Sequence, residues 1–587
     1  MKIFAARDGY WIQATALDIF IWLEIIDTSD RQEFLSRQRH EGTVNWVFEE
    51  ESCKVYHEWA SATESGFLWL QGKAGAGKSV IAAVVVEELS KRPPEEEFLA
   101  HFFCDFRDVR TLRTPTILKA LFAQFVQIPE RELADLFPDL IERHAGGLPP
   151  PSEIEDLLDL LLRAMRLHKR KVIVIDGLNE CNDIPTVLGC LEKISAEEDV
   201  RLLVASRPEQ IFLNHLAGRP TMALEDYIEF ANEDMRNSLL KQMKDHFRLQ
   251  AIPSGTKTEV QDSMVKQADG SFWYAQCQLD SLHACRSVGG VCAIIENLPL
   301  DLDRTYDNIL FGVNEMSKNV RTIVQLTLRW LGGALRPLTI SQVIEATQIE
   351  IDKSVLNHNL TVVSEEDLLF LCGDLIRLDD QTTGIGLAHR TVLEYLTKPP
   401  SYESISRYCF DAHEVHRDLA LRSISYILTE DIVRGIEQCN KSSYLFESSK
   451  RHFFIDHCPM IPYVFDGGFE HLQHITKEDD EVINSLIKLQ IQVKEQRDKY
   501  ALIIESLHDR VEGNPYEWIL DEAELVLGIL IRFGPPWMLK RFLLRHRPDL
   551  ARGEEIDKLL ARVEILGRSA ELEEILTDRK IYEFVGQ

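Results

Sequence analysis

Short apolar runs alternate with amphipathic segments up to about residue 228. The runs are rich in branched and aromatic side chains, as in buried strands of a parallel sheet, and lie at residues 67–70, 98–103, 171–175, 201–205 and 221–224. Segments with apolar residues at helical spacing lie between them, at 80–89, 117–126 and 154–167. Strands that alternate with helices predict a parallel α/β sheet that binds its ligand at the carboxyl ends of the strands.

Beyond residue 228, helical spacing replaces the strand pattern. Helices are predicted at 234–247, 271–282, 305–312, 320–331, 340–346 and 391–396, with a further apolar segment at 368–376. A small hairpin is predicted around Gly384 and Gly386, directly before the last of these helices. Helices with such a hairpin indicate a winged-helix module.

The part from residue 402 onward is predicted to be helical. Apolar residues at four- and three-residue steps form a heptad seam there, made by Val482, Leu486, Leu489, Val493, Tyr500, Ile503 and Leu507. A long helix packed within the chain is favoured over an intermolecular coiled coil. Amphipathic stretches at 525–544 and 556–575 suggest degenerate helical repeats, although they share no fixed period.

The segment at 72–79 reads GKAGAGKS and matches the P-loop pattern G-x-x-x-x-G-K-[ST] between a predicted strand and a predicted helix. Its glycines let backbone N–H groups approach a phosphate chain, and the helix N-terminus favours negative charge. Lysine at this position reaches the β- and γ-phosphates, and the serine hydroxyl binds Mg²⁺. The predicted nucleotide-binding residues are Gly72, Gly75, Ala76, Gly77, Lys78, Ser79 and Val80.

Two later strands end in polar residues that suit the same site. Asp176 follows the strand at 171–175 and is predicted, with Ser79, to hold Mg²⁺. Glu180 is the candidate catalytic residue beside Asp176, because a carboxylate there can orient or deprotonate an attacking water. Arg207 follows the strand at 201–205 and is a candidate sensor of the γ-phosphate.

Length, net charge, hydropathy and cysteine spacing limit the domain number, the ligand classes and the cellular location that the sequence indicates. With 587 residues the chain is too long for one core, so several domains are expected. A net charge of −30 argues against general nucleic-acid binding. No apolar run is long enough to span a membrane. The eleven cysteines form no C-x-x-C pair, which fits reduced thiols and a cytoplasmic location.

The predicted fold is an α/β P-loop NTPase core, a parallel sheet with flanking helices, followed by helical and winged-helix modules and an all-α C-terminal region. The predicted boundaries are a helical lead-in at 1–62, the NTPase domain at 63–240, a helical domain at 241–300, a winged-helix-like domain at 301–400 and the C-terminal helical region at 401–587.

These residues together resemble the NACHT-domain proteins of filamentous fungi, STAND-class P-loop NTPases related to animal NOD-like receptors. The resemblance covers roughly residues 31–426. It rests on the P-loop, on the segment DGLNEC at 176–181, which is similar to the family's D-G-L-D-E-C, and on the segments SRP at 206–208, SFWYAQCQL at 271–279 and LAHRTV at 387–392.

The resemblance implies roles that spacing alone does not supply. Pro299 would stand against the adenine, and His389 would meet the β-phosphate of ADP. The ligands would be ATP or ADP with Mg²⁺, and nucleotide exchange would reorient the domains. The activated protein would form a homo-oligomer and signal to a protein effector whose identity the sequence does not give.

The sequence departs from the family pattern at two places. Asn179 replaces the usual second acid, so slow hydrolysis is expected. The N-terminal part is too short for a full effector domain, and no ankyrin or WD signature is found. Two other functions stay open: a turnover ATPase of motor-like or kinase-like type, and a helical scaffold with a vestigial nucleotide site.

Overall fold

The computed structural model of the protein describes residues 3–7, 10–14, 16–94, 96–126, 130–250, 253–283, 290, 298–379, 384–432, 434, 457–495, 525–546, 572 and 575. Within these ranges, no helix has the length and apolar character needed to cross a bilayer.

An antiparallel hairpin comes first, formed by β1 (Ile3–Arg7) and β2 (Tyr10–Ala14). Helices follow at Ala16–Trp22, Ser29–Arg37 and Lys54–Ser61. The prediction of a wholly helical lead-in over residues 1–62 is therefore wrong at its start. The overlooked signal is the sequence Asp8-Gly9, which favours a two-residue turn between apolar segments; Arg7 pairs with Tyr10.

The P-loop core is a five-stranded sheet made of β3 (Gly66–Gln71), β4 (Phe98–Phe103), β5 (Lys171–Asp176), β6 (Val200–Ser206) and β7 (Thr221–Ala223). The strand order is β4-β5-β6-β3-β7, and every neighbouring pair is parallel. The predicted parallel α/β core is confirmed. Because only β6 separates β3 from β5, the loops that follow these two strands meet at one edge of the sheet.

Helices cover both faces of this sheet. Leu68 and Leu70 face the helix Lys78–Leu89, whereas Phe67 and Trp69 share the opposite core with the helices Thr114–Phe125 and Ile154–Met165. Burial on both faces explains why the strands read as continuous apolar runs instead of alternating patterns. The remaining helices of this part are Glu130–Leu136, Pro138–Ala145, Ile184–Ser195 and Gln210–His215.

A helical module follows, with helices at Ile228–Asp245, Phe247–Gln250, Ser254–Ala268 and Phe272–His283. They enclose a core of their own that includes Met235, Leu239, Met264 and Tyr274. The first helix runs through residue 240, where the sequence placed a domain boundary, and its apolar residues belong to this module. The helix Ser254–Ala268 went unpredicted because few apolar positions mark it.

The winged-helix module contains the helices Leu302–Asn314, Lys318–Gly333, Ile340–Ala346, Glu365–Cys372 and Arg390–Leu396. Its sheet has the order β8-β10-β9, with β8 at Leu338–Thr339, β9 at Ile376–Leu378 and β10 at Gly384–Leu387. Both pairings are antiparallel. The predicted hairpin and winged helix are confirmed, and the hairpin leads directly into the helix that begins at Arg390.

The C-terminal part is helical in the residues described, at Ala412–Ile427, Ile461–Tyr463, Asp480–Glu495, Leu525–Phe533 and Pro536–His546. Its apolar residues form one continuous core with those of the winged-helix module, from Tyr306 through Leu387 to Phe542. The stretch predicted at 525–544 is two helices, because Gly534-Pro535 interrupts it.

The heptad residues Val482, Leu486, Leu489 and Val493 are fully buried, on a helix that packs against Ala412–Ile427. Packing within the chain, the favoured interpretation, therefore holds for this part of the seam. Tyr500, Ile503, Leu507 and nearly all of the stretch 556–575 lie outside the described residues.

Candidate functional site: a nucleotide cavity closed by the winged helix

A cavity of about 540 Å³ lies at the carboxyl edge of the five-stranded sheet, a volume within the usual range for small-molecule sites. Its lining comes from residues between 31 and 46, from the P-loop, from the loops after β4, β5, β6 and β7, from the helical module, and from the winged-helix segment at 387–390. Residues that are distant in sequence therefore surround one space.

The P-loop holds a conformation that requires glycine at two positions. Gly75 has φ +74° and Gly77 has φ +88°, both in the left-handed region. At Gly75 the surroundings also exclude a side chain, because an added Cβ would lie 2.6 Å from Ser271 Oγ and 2.9 Å from Trp273 Cβ. The P-loop backbone is thus packed tightly against the helical module.

The side chain of Lys78 hydrogen-bonds to the backbone of its own P-loop. Its Nζ donates to the carbonyl oxygens of Gly72, at 2.7 Å, and Lys73, at 2.9 Å. Burial lowers the pKa of this ammonium to about 8, with the carboxylate of Asp176 opposing the shift. The positive charge is therefore held at the centre of the loop, among carbonyls rather than in an ion pair.

Asp176 lies at the end of β5 and is almost fully buried. The Ser79 hydroxyl hydrogen-bonds to its carboxylate, but burial outweighs this contact and raises the pKa of Asp176. One hydroxyl and one carboxylate side by side are hard oxygen ligands of the kind that Mg²⁺ prefers. The donor set thus fits the magnesium site predicted from the sequence.

Glu180 is the second buried carboxylate of the site. Its Oε2 accepts from the Phe106 N–H at 2.8 Å and lies 3.8 Å from Nη1 of Arg390. Burial raises its pKa to about 7, although Arg390 acts in the opposite direction. A carboxyl group with that pKa can exchange a proton near neutral pH, as a general base must.

Arg207 and Asn179 connect the loops after β6 and β5. The Arg207 N–H donates to Asn179 Oδ1 at 3.1 Å, and Arg207 Nη1 lies 2.7 Å from Glu394 Oε1 in the winged-helix module. The predicted sensor therefore lines the cavity and is also ion-paired to the winged helix.

His389 enters the cavity from the winged-helix module, where it caps the helix Arg390–Leu396. Its ring stacks on Trp273, with the centroids 5.4 Å apart and 15° between the planes. Burial, together with the nearby cations Arg207 and Lys78, lowers the pKa of His389 to about 3. The imidazole is thus neutral at physiological pH.

With this geometry defined, comparisons with known proteins become informative. The family model described as Nephrocystin 3, N-terminal, matches residues 42–207, and the model described as GPI inositol-deacylase, winged helix domain, matches residues 313–405. The first spans the P-loop, Asp176 and Arg207, and the second spans His389.

Two fungal proteins are similar in sequence. The vegetative incompatibility protein HET-E-1 of Podospora anserina is 20% identical over 418 residues, which are 67% of this chain and 29% of that protein. The azaphilone pigments biosynthesis cluster protein L of Monascus ruber is 26% identical over 150 residues, 24% of this chain and 31% of that protein. The resemblance to fungal NACHT-type proteins is confirmed. The matched part spans about a third of each of these relatives.

A solved structure of the Aeropyrum pernix ORC1 protein in complex with DNA is similar over 64% of this chain and 94% of that chain, at 14% identity and a TM-score of 0.29. A superposition this loose carries no argument about the site. The resemblance to NACHT-type proteins rests on the sequence relatives, and the P-loop fold rests on the strand order.

Not every predicted site residue reaches the cavity. Gly75, Ala76, Gly77, Lys78, Ser79, Val80, Asp176, Glu180, Arg207 and His389 line it. Gly72 contributes through its carbonyl to Lys78. Pro299 does not line it; instead its carbonyl accepts from Tyr274 Oη and Gln267 Nε2. The role against the adenine that the resemblance implies for Pro299 stays a prediction.

Several cavity residues were not predicted from the sequence. Arg390 lies there because it directly follows the cap residue His389. Trp273 lies there because it contacts the P-loop. Asp234 lies on the opposite wall, where its Oδ2 accepts from Val44 N–H at 2.7 Å and from Trp46 Nε1 at 3.1 Å. Trp273 and Arg390 lie in the segments at 271–279 and 387–392 that carry the family resemblance, but only the tertiary fold reveals that they and Asp234 line the cavity.

Proposed function

We propose that this protein is an ATP/ADP-binding switch of the STAND/NACHT type, in which nucleotide exchange reorients the winged-helix module relative to the NTPase core. One observation carries the proposal: the P-loop and His389 line the same cavity, although more than 300 residues separate them in the sequence. A ligand that spans both would stabilise the two modules in one arrangement.

The chemistry of the lining suits a nucleotide with Mg²⁺. Backbone N–H groups of the P-loop and the Lys78 ammonium would hold the phosphates, and Ser79 with Asp176 would hold the metal. When bound, Mg²⁺ supplies charge neutralisation at the phosphates. The neutral His389 offers an N–H donor that suits a terminal phosphate oxygen.

Contacts between the modules favour the closed arrangement. Arg207 of the NTPase core pairs with Glu394 at 2.7 Å, and Arg390 of the winged-helix module lies 3.8 Å from Glu180 of the core. A third phosphate has the charge to compete with these carboxylates for the arginines. Since a ligand shifts an equilibrium only through its different affinity for the two states, ADP and ATP would select different arrangements.

Slow hydrolysis fits this role, with Glu180 as general base and Asn179 in place of the usual acid. We propose that hydrolysis resets the switch and that the open form self-associates. A turnover ATPase is the alternative, and the buried Glu180 with its pKa of about 7 is the feature that favours it. A vestigial site is disfavoured by the contacts of Lys78, Ser79 and Asp176.

The test compares His389→Ala with the unaltered chain. A single charge-assisted hydrogen bond contributes about 1.5–3 kcal/mol, so the variant should lose roughly ten- to a hundredfold in ADP affinity. Its ATP affinity should change less, and light scattering should show a shift toward larger species. Equal losses for both nucleotides without a change in mass would contradict the proposal.

A further inference from the structure

A chain of buried and part-buried hydrogen bonds leads from the P-loop side of the site to His389. Trp273 Nε1 donates to Tyr306 Oη at 2.8 Å, Tyr306 Oη lies 2.8 Å from Thr391 Oγ1, and Thr391 Oγ1 lies 2.8 Å from Nδ1 of His389. The backbone N–H of Thr391 also donates to this Nδ1, at 3.2 Å. The four residues come from three different helices and a helix cap.

The direction of each proton follows from the chemistry of the ends. The indole N–H can only donate, so the Tyr306 oxygen accepts there and its own proton is left for Thr391. At the other end, Nδ1 accepts the backbone N–H of Thr391 and therefore carries a lone pair rather than a proton. The Thr391 hydroxyl then accepts from Tyr306 and donates to Nδ1.

This arrangement determines the tautomer of the histidine. With Nδ1 acting as acceptor and the ring neutral, the single ring proton resides on Nε2. His389 is thus fixed as an N–H donor at the nitrogen that the cap leaves for a ligand. An imidazole in the other tautomer would present a lone pair to a phosphate oxygen and repel it.

Trp273 ties this chain of bonds to the P-loop. Its Cβ is one of the atoms that exclude a side chain at Gly75, and the N–H of the preceding Phe272 donates to the Gly75 carbonyl at 2.8 Å. The indole also stacks on the His389 ring. Movement of the P-loop would therefore be passed to His389 through Trp273.

We infer that Trp273, Tyr306 and Thr391 form a positioning relay that sets the Nε2–H tautomer of His389 and couples its orientation to the P-loop. The inference rests on the proposed function, because it assigns these residues to the contact between His389 and the nucleotide. The three are positioning residues, since they act through His389.

The test uses Thr391→Val and Tyr306→Phe, which remove the two hydroxyl groups and keep the shape of the side chains. Each should weaken ADP by roughly three- to tenfold, the effect of one hydrogen bond, with a smaller change for ATP. Thr391→Ser should restore the unaltered ADP affinity. Binding of both nucleotides to the full chain is measured by calorimetry.

Tyr395→Phe is the matched control. Tyr395 is a buried tyrosine whose ring lies 5.3 Å from that of Tyr306, but its Oη donates to Asp307 Oδ1 at 2.7 Å and not to the relay. This variant should lower thermal stability and leave the ratio of ADP to ATP affinity unchanged. A merely structural role of Tyr306 would make Tyr306→Phe behave in the same way.

Nitrogen NMR of ¹⁵N-histidine protein gives a readout that needs no nucleotide, with the His389 signals assigned by their loss in His389→Ala. A non-protonated Nδ1, and changed ring shifts in Thr391→Val, support the relay. A protonated Nδ1 would overturn it. The relay would also be overturned if Thr391→Val and Tyr306→Phe left the ratio of ADP to ATP affinity unchanged while His389→Ala changed it. In that case the proposed function would still stand. If His389→Ala leaves the ratio intact, the proposed switch contact fails and the ring spectra alone decide the relay.

Discussion

Two glycines of the P-loop give a controlled measurement of how firmly it is packed against the helical module. Gly75→Ala and Gly77→Ala each place a methyl group on a left-handed residue, which costs an L-amino acid about 1–2 kcal/mol. Only at Gly75 does the new Cβ also meet neighbours, at 2.6 and 2.9 Å; at Gly77 the nearest atom is Phe272 Cδ2 at 3.9 Å.

Overpacking of this kind adds about 1–3 kcal/mol. We therefore expect Gly75→Ala to destabilise the contact between the P-loop and the helix Phe272–His283 by that amount more than Gly77→Ala does. If local opening limits exchange, this helix should exchange its amide hydrogens roughly 5- to 100-fold faster in Gly75→Ala than in Gly77→Ala.

Hydrogen–deuterium exchange with mass spectrometry, without nucleotide, follows the peptides that cover this helix. The amide of Phe272 is the most informative, because it donates to the Gly75 carbonyl. Equal exchange in the two variants would refute the packing argument, since the strained backbone is common to both. Faster exchange throughout the five-stranded sheet in Gly75→Ala would show general unfolding and refute a local effect.

Other perturbations address the charges of the site. Lys78→Ala should abolish ATP binding in calorimetry or weaken it greatly, because the other lysine of the loop, Lys73, is paired with Asp269; unchanged affinity would remove the P-loop assignment. Single-turnover hydrolysis should be far below about 10 per second, and Asn179→Asp should raise it, unless Asn179 is not what limits the rate. Because the pKa of Glu180 is raised to about 7, the base form grows through that pH, and the rate should rise between pH 6 and 8; a flat profile argues against this base. Burial lowers the pKa of His389, and of His416 on the helix Ala412–Ile427, from 6.5 to about 3. The unfolded chain therefore binds protons below pH 6.5 that the native chain does not, and stability should fall by about 1.4 kcal/mol per histidine at pH 5.5 in denaturation experiments. His389→Gln and His416→Gln should each lose their own share of this dependence.

The sequence predicted the P-loop core well because its signals are local. A strand, a glycine-rich loop and a helix stand next to one another at 67–89, and doubly buried strands leave apolar runs that are easy to find. Asp176 was identified for the same reason, since it directly follows such a run. The small hairpin before His389 was also marked by its own glycines.

Contacts between segments that are distant along the chain could not be predicted from the sequence. Nothing near Arg207 indicates that Glu394 is its partner, and nothing near Trp273 indicates that its indole bonds to Tyr306. The N-terminal hairpin was missed for a different reason, because a turn signal was present and overlooked.

The core shared by the winged-helix and C-terminal parts has a consequence for synthesis on the ribosome. The NTPase sheet and its helices are complete by about residue 227 and can fold while translation continues. The apolar faces of the winged-helix module around Leu387 and Leu396 are covered only after residues as late as Phe542 and Leu543 have been synthesised. At about 5–20 residues per second that interval lasts roughly 7–30 s. During it the nascent chain exposes apolar surface that chaperones recognise, and premature stop codons in this interval should give insoluble products.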